Sequence, residues 1–305
     1  MGFEGNVNIR KLDQQNLKPK TMDQKIINLY DSYTHSQLSR KEFMKKLAIL
    51  TGSTALALTI LPALESNYAA AATVSDNEVF SEEITFPGAE GDMKGLLAMP
   101  KGNKKKLGAV VVIHENRGLT PHIKDVTKRV ALAGFLALGV DALSPFGGTP
   151  EDENKGRELI GKLDADKNLQ NYLKALEFLR THKNGNGKTG CVGFCWGGGI
   201  ANKLAASDPL LNVAVAYYGA QGKAEDVPKI KASLLLHYGG LDERINAGIP
   251  AYEQALKANK IDYQLYVYDG VNHAFNNDTS PTRYNEAAAK LAWQRTIDLF
   301  KKKLG

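Results

Sequence analysis

The sequence predicts an α/β fold with a mostly parallel sheet and helices on both faces, preceded by a separate N-terminal leader. From Val74 onward, short β-rich runs alternate with helical stretches, a pattern typical of strand–helix–strand units. The run 108–113 is continuously apolar, as expected of a strand buried on both faces. A Gly-x-Cys-x-Gly sequence at 193–197 follows another apolar strand and leads into a helix. We therefore expect a leader over 1–72 and one α/β domain over 73–305.

The elements of this domain follow from local signals. Strands 79–86 and 94–99 form an opening hairpin across two glycines. Thr120 and Pro121 mark the cap and the first residue of a helix that stops at Gly134. The remaining predicted strands are 108–113, 135–140, the strand before Cys195, 213–217, 233–237 and 264–268. The other predicted helices cover about 155–163, 165–182, 200–207, 250–260 and 281–302.

Composition limits the function. With 305 residues, 43% hydrophobic and 24% charged, the chain has an ordinary globular composition. Of the net charge of +6, half lies in the leader, so the domain carries only +3 and nucleic acid is not an expected partner. The two cysteines exclude a disulfide scaffold and a cysteine-based zinc site. On one strand, Cys191 and Cys195 would be roughly 13 Å apart, so both should be free thiols.

The leader has the layout of an export signal. A basic stretch at 39–46 precedes a moderately apolar run at 47–64, and small residues at 68–73 follow as a cleavage site. The basic part resembles the twin-arginine signal, except that Lys41 replaces the second arginine. We expect export, to the periplasm if the source is bacterial, and only transient membrane contact. The alternative is a retained leader packed on the domain or the membrane. Residues 1–38 suggest no role.

The Gly-x-Cys-x-Gly sequence has the form of a nucleophile elbow. Such a turn requires small residues two places before and after the nucleophile, and Gly193 and Gly197 meet this requirement. The following helix directs its positive end at Cys195, which favours the thiolate. The alternative is that Cys195 is simply a small buried residue in a turn.

A nucleophile of this kind needs a base and a group that orients the base. Asp242 lies just past the strand 233–237 and His273 just past the strand 264–268. They follow the cysteine in the order nucleophile, acid, histidine. Asp269 is the rival acid, but it lies close to His273 in sequence. The histidines at 35, 122, 182 and 237 fall in the leader, on helices or inside a strand, and we expect none of them to be catalytic.

The loop after the third strand supplies further candidates. An oxyanion hole would use the backbone N–H groups of Trp196, which follows the nucleophile, and of Asn116. Glu115 could accept the thiol proton when substrate displaces it. Alternatively, Glu115 bonds Arg117 or caps the helix at Thr120.

Four motifs together resemble the dienelactone hydrolase (carboxymethylenebutenolidase) family of α/β-hydrolases. They are His-Glu-Asn-Arg-Gly at 114–118, Gly-Phe-Cys-Trp-Gly-Gly-Gly at 193–199, Gly-Gly-Leu-Asp at 239–242 and Gly-Val-Asn-His-Ala-Phe at 270–275. The resemblance implies an α/β-hydrolase fold and a Cys-His-Asp triad that hydrolyses small-molecule esters or lactones. It also implies a glutamate that switches the cysteine to thiolate, and no metal or cofactor. Cys195, Asp242, His273 and Glu115 match these roles.

Substrate-binding arginines are a point of departure from that family. Its dienelactone-cleaving members have an arginine a few residues after the histidine, whereas this chain has Asn276 and Asn277 there. Arg117, Arg157 and Arg283 are the candidates that remain, and the natural substrate stays open. Two other functions are compatible with the sequence, namely a catalytically idle binding protein and a thiol redox sensor. The sequence does not indicate an oligomeric state.

Overall fold

An eight-stranded sheet forms the centre of the molecule. The computed structural model describes residues 22–36, 38–70 and 73–305. The strand order is β1-β2-β4-β3-β5-β6-β7-β8, and every pairing from β4 to β8 is parallel, whereas β1 and β2 pair antiparallel. The strands are β1 (Val79–Pro87), β2 (Asp92–Pro100), β3 (Leu107–Ile113), β4 (Leu136–Asp141), β5 (Gly185–Phe194), β6 (Val213–Tyr217), β7 (Ser233–Gly239) and β8 (Tyr263–Tyr268). The predicted mostly parallel α/β sheet is confirmed.

Helices cover both faces of this sheet, as predicted. They are α4 (Pro121–Leu132), α5 (Glu153–Ile160), α6 (Ala165–Thr181), α7 (Trp196–Ser207), α8 (Glu243–Asn246), α9 (Ile249–Ala258) and α10 (Glu286–Leu304). One apolar cluster packs α4 and α10 against one face, and another packs α6, α7 and α9 against the opposite face. The central strands β4, β6 and β7 are buried along their whole length, which explains their mainly apolar sequences.

Two helices begin elsewhere than predicted. Helix α7 starts at Trp196 rather than near Ile200, because the glycines at 197–199 have poor helix propensity and conceal the first turn. At least one of these glycines is required sterically, because a Cβ on Gly198 would lie 2.8 Å from the Cα of Gly219. Helix α10 starts at Glu286 rather than near Pro281. Its cap is Asn285, whose side chain accepts from the N–H of Ala288 at 3.0 Å.

Ahead of the sheet, residues 22–70 form what we call the N-terminal helical segment. It contains α1 (Gln24–His35), α2 (Arg40–Thr51) and α3 (Thr54–Leu64). These helices bury an apolar cluster of their own, in which the rings of Tyr33 and Phe43 stack at 4.4 Å. Ser39 and Glu42 form a capping box at the start of α2. Residues 1–21 and the alanines at 71–72 of the predicted cleavage site lie outside the described residues.

Among the described residues, one pair of helices has the length and composition to cross a membrane. No single helix there is long and apolar enough to cross a bilayer. Helices α2 and α3 pass the length and composition criteria together, but a bend of 110° separates them. The bend falls at Gly52, whose φ of +87° suits a residue without Cβ.

Parallel strands bring their following loops to one edge of the sheet. The loop after β3, the turn after β5 and the loops after β7 and β8 all emerge at this edge. These are the segments that carry the four sequence motifs.

Candidate active site

Cys195 lies in a strained turn between β5 and α7. Its φ of +56° places it in a region that residues with a Cβ rarely adopt, and its side chain is 6% exposed. The flanking glycines are required sterically. A Cβ on Gly193 would lie 2.0 Å from Gly197 O, and one on Gly197 would lie 2.5 Å from the carbonyl oxygens of Ile113 and His114. The local geometry is that of a nucleophile elbow.

The predicted histidine and acid lie side by side next to this turn. His273 Nδ1 is 2.5 Å from Asp242 Oδ2, and both side chains are almost fully buried. Asp242 is itself fixed by the N–H of Ile245, which donates to its Oδ1 at 3.2 Å. His273 Nε2 is buried and has no hydrogen-bond partner among the described residues. The structure thus pairs the histidine with Asp242 rather than with Asp269.

Glu115 is held by groups other than those considered from the sequence. Asn277 Nδ2 donates to its Oε2 at 2.9 Å, and the hydroxyl of Tyr218 lies 3.5 Å from its Oε1. Burial raises the pKa of Tyr218, and the nearby Glu115 and Cys195 raise it further, so its hydroxyl keeps its proton. Glu115, Cys195 and His273 line one small cavity of about 20 Å³.

The two predicted oxyanion-hole residues flank the cysteine. Trp196 is the first residue of α7, a position whose N–H has no acceptor within the helix. Asn116 and Trp196 line the same cleft as Cys195. The side chain of Asn116 donates to the carbonyl of Thr34 at 2.7 Å, which ties the β3 loop to α1.

One residue in contact with the thiol could not be predicted from the sequence motifs. His35, at the end of α1, places its Nε2 2.9 Å from Cys195 Sγ. Its Nδ1 lies 2.9 Å from Asp31 O and 3.1 Å from Asp31 Oδ1. Burial lowers the pKa of His35, but the Cys195 sulfur and the Asp31 carboxylate outweigh burial and leave it raised above its ordinary value. A single signal pointed here, the amphipathic stretch 22–33, whose apolar face had no assigned partner.

The ring of His35 also meets the ring of His273, with centroids 4.6 Å apart. One ring nitrogen of each histidine and the Cys195 sulfur lie within 4.8 Å of one another. Because Asp31 and Asp242 hold the two Nδ1 atoms, the Nε2 atoms are those left to face the sulfur.

All three candidate substrate-binding arginines contact α1. Arg157 donates to the carbonyl of Tyr33 at 2.5 Å and stacks its guanidinium over the Tyr33 ring at 4.3 Å. Arg117 donates to the hydroxyl of Tyr30 at 3.2 Å, and it also pairs with Glu153. The guanidinium of Arg283 lies 5.2 Å from the centre of the Tyr30 ring. In this structure, therefore, the arginines fix the N-terminal helical segment, and their role toward substrate stays a prediction.

The other three histidines that were expected not to be catalytic, His122, His182 and His237, lie outside this site. His237 is fully buried in β7, where Tyr268 and Thr296 contact its ring nitrogens at 3.0 and 3.3 Å. Burial and the nearby Arg295 lower the pKa of His237 to about 3, so it stays neutral. His122 pairs with Asp278, and His182 caps the end of α6.

A cleft of about 620 Å³ opens onto the thiol. One wall comes from the domain, with Trp196, Tyr218 and Arg157 among its residues. The other wall comes from the end of α1 and the turn after it, including His35 and Leu38. A small organic molecule fits a space of this size, and its reacting group would meet Cys195 at the base.

Comparisons with known proteins cover both parts of the chain. The model of the dienelactone hydrolase family matches residues 93–304, and a model described as YqhI-like matches residues 14–53, which include the whole of α1 and α2. A protein of Escherichia coli O157:H7 named "Putative carboxymethylenebutenolidase" is 32% identical over 241 residues, which cover 74% of this chain and 88% of that protein. A protein of the same name from Saccharolobus solfataricus is 31% identical over 251 residues, with coverages of 70% and 95%.

Among solved structures, a similar one is the crystal structure described as "Putative Dienelactone Hydrolase" from Klebsiella pneumoniae. It superposes with a TM-score of 0.67 at 28% sequence identity, and the match covers 73% of this chain and 99% of that one.

Proposed function

The chain belongs to the dienelactone hydrolase family, and from that premise we propose that it cleaves ester or lactone bonds with Cys195 as nucleophile, His273 as base and Asp242 as the orienting acid. The enzyme class follows from the family: it is a hydrolase that acts on ester or lactone bonds. The observation that supports the triad best is the convergence of three separate motifs. The sulfur, the unpartnered Nε2 of His273 and the Asp242 carboxylate meet at one edge of the sheet although 47 and 31 residues separate them.

In the proposed reaction the sulfur of Cys195 attacks the carbonyl carbon, and a carbon–sulfur bond forms. The resulting oxyanion accepts hydrogen bonds from the backbone N–H groups of Trp196 and Asn116. Collapse of this intermediate breaks the ester or lactone C–O bond, and the departing alkoxide takes up the proton that the thiol gave to Glu115, delivered through His273. His273 then takes a proton from water, which attacks the thioester. This step releases the carboxylic acid and returns the thiol.

Glu115 has a separate role in this proposal. It lies in the same small cavity as Cys195, and Asn277 and Tyr218 hold its carboxylate. We propose that Glu115 accepts the proton of the Cys195 thiol when substrate enters. The thiolate is then formed before His273 acts. Because Asn277 occupies the neighbourhood of the family's arginine, this anchor also favours an ester or lactone other than the family's dienelactone.

A panel of nitrophenyl esters and small lactones, assayed with the full-length chain, tests the proposal. We expect turnover with a burst of nitrophenol that reports the thioester, and we expect Cys195→Ala to lower kcat/KM by about 10³-fold or more. The control is Cys191→Ala, which removes the other thiol, fully buried in the sheet, and should retain most of the activity.

Other results would point to the alternative functions. Ligand binding without any burst would indicate a catalytically idle binding protein. A sulfenic acid formed at Cys195 under mild peroxide, without turnover, would indicate a redox sensor. Equal activity of Cys195→Ala and the parent protein would remove the thiol from the mechanism.

We also propose that the leader directs export, on the basis of its basic stretch, apolar run and small residues at 68–73. Export with cleavage would remove α1 and with it His35. N-terminal sequencing of the protein from the periplasmic and cytoplasmic fractions tests this proposal. A mature N-terminus near residue 73 in the periplasm supports it, whereas an intact N-terminus in the cytoplasm supports the retained leader.

A further inference from the structure

We propose that His35, Cys195 and His273 form a binding site for a borderline-soft divalent cation, of which Zn²⁺ is the foremost candidate. One ring nitrogen of each histidine and the sulfur all lie within 4.8 Å of one another. With two imidazole ligands and a single sulfur, this site differs from the cysteine-based zinc site that the two cysteines exclude. Imidazole and thiolate are ligands that Zn²⁺ prefers, whereas Mg²⁺ and Ca²⁺ prefer oxygen. The inference stands apart from the hydrolase proposal, because it concerns what the three side chains bind when no substrate is present.

An unpartnered atom directed into the cluster is independent support. His273 is 4% exposed, and its Nε2 has no hydrogen-bond partner among the residues that the structure describes. A buried polar atom without a partner costs free energy, and a metal ion would satisfy it. The hydrogen bond between His35 and Cys195 leaves this nitrogen unused.

The surroundings of both histidines fit metal binding. In metal sites the ring nitrogen that does not bind the metal usually donates to a carboxylate or a carbonyl, which fixes the tautomer and turns the other nitrogen toward the ion. Here Asp242 faces His273 Nδ1 at 2.5 Å. Asp31 faces His35 Nδ1 through its carbonyl at 2.9 Å and its carboxylate at 3.1 Å. Both rings therefore have the support expected of metal ligands.

Side-chain movements of at most about 1.5 Å bring the three donors to the separations of a tetrahedral ion. Bond lengths of about 2.3 Å to sulfur and 2.0–2.1 Å to nitrogen require roughly 3.3–3.6 Å between donors. His35 Nε2 and Cys195 Sγ are 2.9 Å apart, so they must separate by about half an ångström. Three protein ligands leave a fourth position for water on the side of the 620 Å³ cleft. Charge also favours the ion, because the carboxylates of Asp31 and Asp242 lie against the two imidazole rings.

The site has a functional consequence. A metal ion at this position would hold the sulfur as a ligand and occupy His273 Nε2, so the nucleophile and its base would both be blocked. It would also bind α1 to the domain, because one ligand comes from the N-terminal helical segment and two come from the sheet edge.

Metal binding to the full-length chain tests the proposal without any substrate. After removal of metal by a chelator, Zn²⁺ is titrated against a chromophoric competitor, and Co²⁺ is added to a second sample for absorption spectra. We expect one Zn²⁺ per chain, a thiolate-to-cobalt charge-transfer band, and the strong visible bands of tetrahedral Co²⁺. His35→Ala should weaken Zn²⁺ binding by at least about tenfold, and Cys195→Ser should abolish the charge-transfer band. His182→Ala, at a histidine outside the cluster, is the matched control and should bind Zn²⁺ like the parent protein.

A measurement on the unaltered protein covers the case in which a variant fails to fold. Cys191 is fully buried, so alkylation of the folded chain by iodoacetamide reports on Cys195. Stoichiometric Zn²⁺ should slow this alkylation at least tenfold, and Mg²⁺ should not. Equal alkylation with and without Zn²⁺ would overturn the proposal, as would equal Zn²⁺ affinity in the parent and His35→Ala proteins.

Discussion

Two histidine–aspartate pairs approach the same sulfur by different routes. His273 and Asp242 lie on loops after neighbouring parallel strands, and their side chains are 4% and 2% exposed. His35 and Asp31 lie one turn apart on a single helix, and their side chains are more exposed, at 11% and 16%. The sheet determines the position of the first pair, whereas the second pair reaches the thiol only because α1 docks on the domain.

The His273 pair is therefore a fixed part of the folded domain, whereas the position of the His35 pair depends on the docking of α1. The contacts that hold α1 in place are side-chain contacts: Arg157 to Tyr33, Arg117 to Tyr30, and Gln24 to Asn272 at 2.5 Å. Backbone ladder bonds across six strands hold the loops of the first pair. Local opening is easier where fewer buried contacts must break. We therefore expect the His35 pair to leave the sulfur without disturbing the His273 pair.

The largest expected effect comes from the two aspartates. Asp242→Asn should lower kcat by about 10³-fold, because an amide no longer holds His273 in the tautomer whose Nε2 can accept a proton. Asp31→Asn is the matched change at the other pair, and we expect it to lower kcat by less than about tenfold. Steady-state kinetics on the most active ester of the panel measures both. Losses of equal size would show that His35 shares the work of the base, and the distinction between the pairs would fail.

The next effect concerns the cluster that supports α1. Phe43 is fully buried between α1 and α2 and stacks on Tyr33, so Phe43→Ala should destabilise the N-terminal helical segment by about 3 kcal/mol. If α1 then leaves the cleft, alkylation of Cys195 should become at least tenfold faster while the melting transition of the domain stays in place. Ile49 lies on the same helix as Phe43, α2, and is 79% exposed, so Ile49→Ala is the control and should change neither quantity. Unchanged alkylation in Phe43→Ala would mean that α1 holds its position without this cluster.

Much of the site on the domain could be predicted from the sequence, because its information is local. Gly193 and Gly197 predict the elbow, and the positions of Asp242 and His273 just after apolar strands predict that they meet Cys195. The placement of His35 could not be predicted in this way. An amphipathic helix shows that it must bury one face, but nothing in its own sequence indicates which surface accepts that face.

The contacts of Glu115 could not be predicted from the sequence, for a related reason. Arg117 is its near neighbour in sequence, yet it turns to Glu153 and Tyr30, and Asn277 from a distant loop binds Glu115 instead. The partners of a loop side chain depend on which segments pack against the loop. Here Arg117 contacts Tyr30 of α1 instead of Glu115. The same packing explains why the candidate substrate arginines face a helix that the sequence analysis had set aside as a leader.

The smallest of the three effects tests whether the loop between β8 and α10, which carries His273 and is called the histidine loop, is anchored independently of α1. Asp278, five residues after His273, pairs with Arg129 at 2.6 Å and with His122 at 3.3 Å. Burial raises the pKa of Asp278, but the hydrogen bonds and charges of His122 and Arg129 outweigh burial and lower it overall. A carboxylate with a lowered pKa contributes stability that is fully present above its ordinary pKa of about 4, and this contribution is lost as the pH falls through the lowered value.

Asp278→Asn should therefore lower the free energy of unfolding by about 2 kcal/mol at pH 7, and the deficit should shrink as the pH falls below 4. Urea unfolding of the parent protein and the variant at pH 7, 4 and 3 measures this difference. Asp226→Asn changes a partly exposed aspartate that pairs only with Lys229 among the described residues, and as the control it should cost less than about 0.5 kcal/mol. Because Asp278 contacts no residue of α1, the Asp278→Asn deficit should be the same with or without Phe43→Ala. A deficit that changes in the double variant would mean that α1 and the histidine loop form one cooperative unit, and the His273 pair would then be as conditional as the His35 pair.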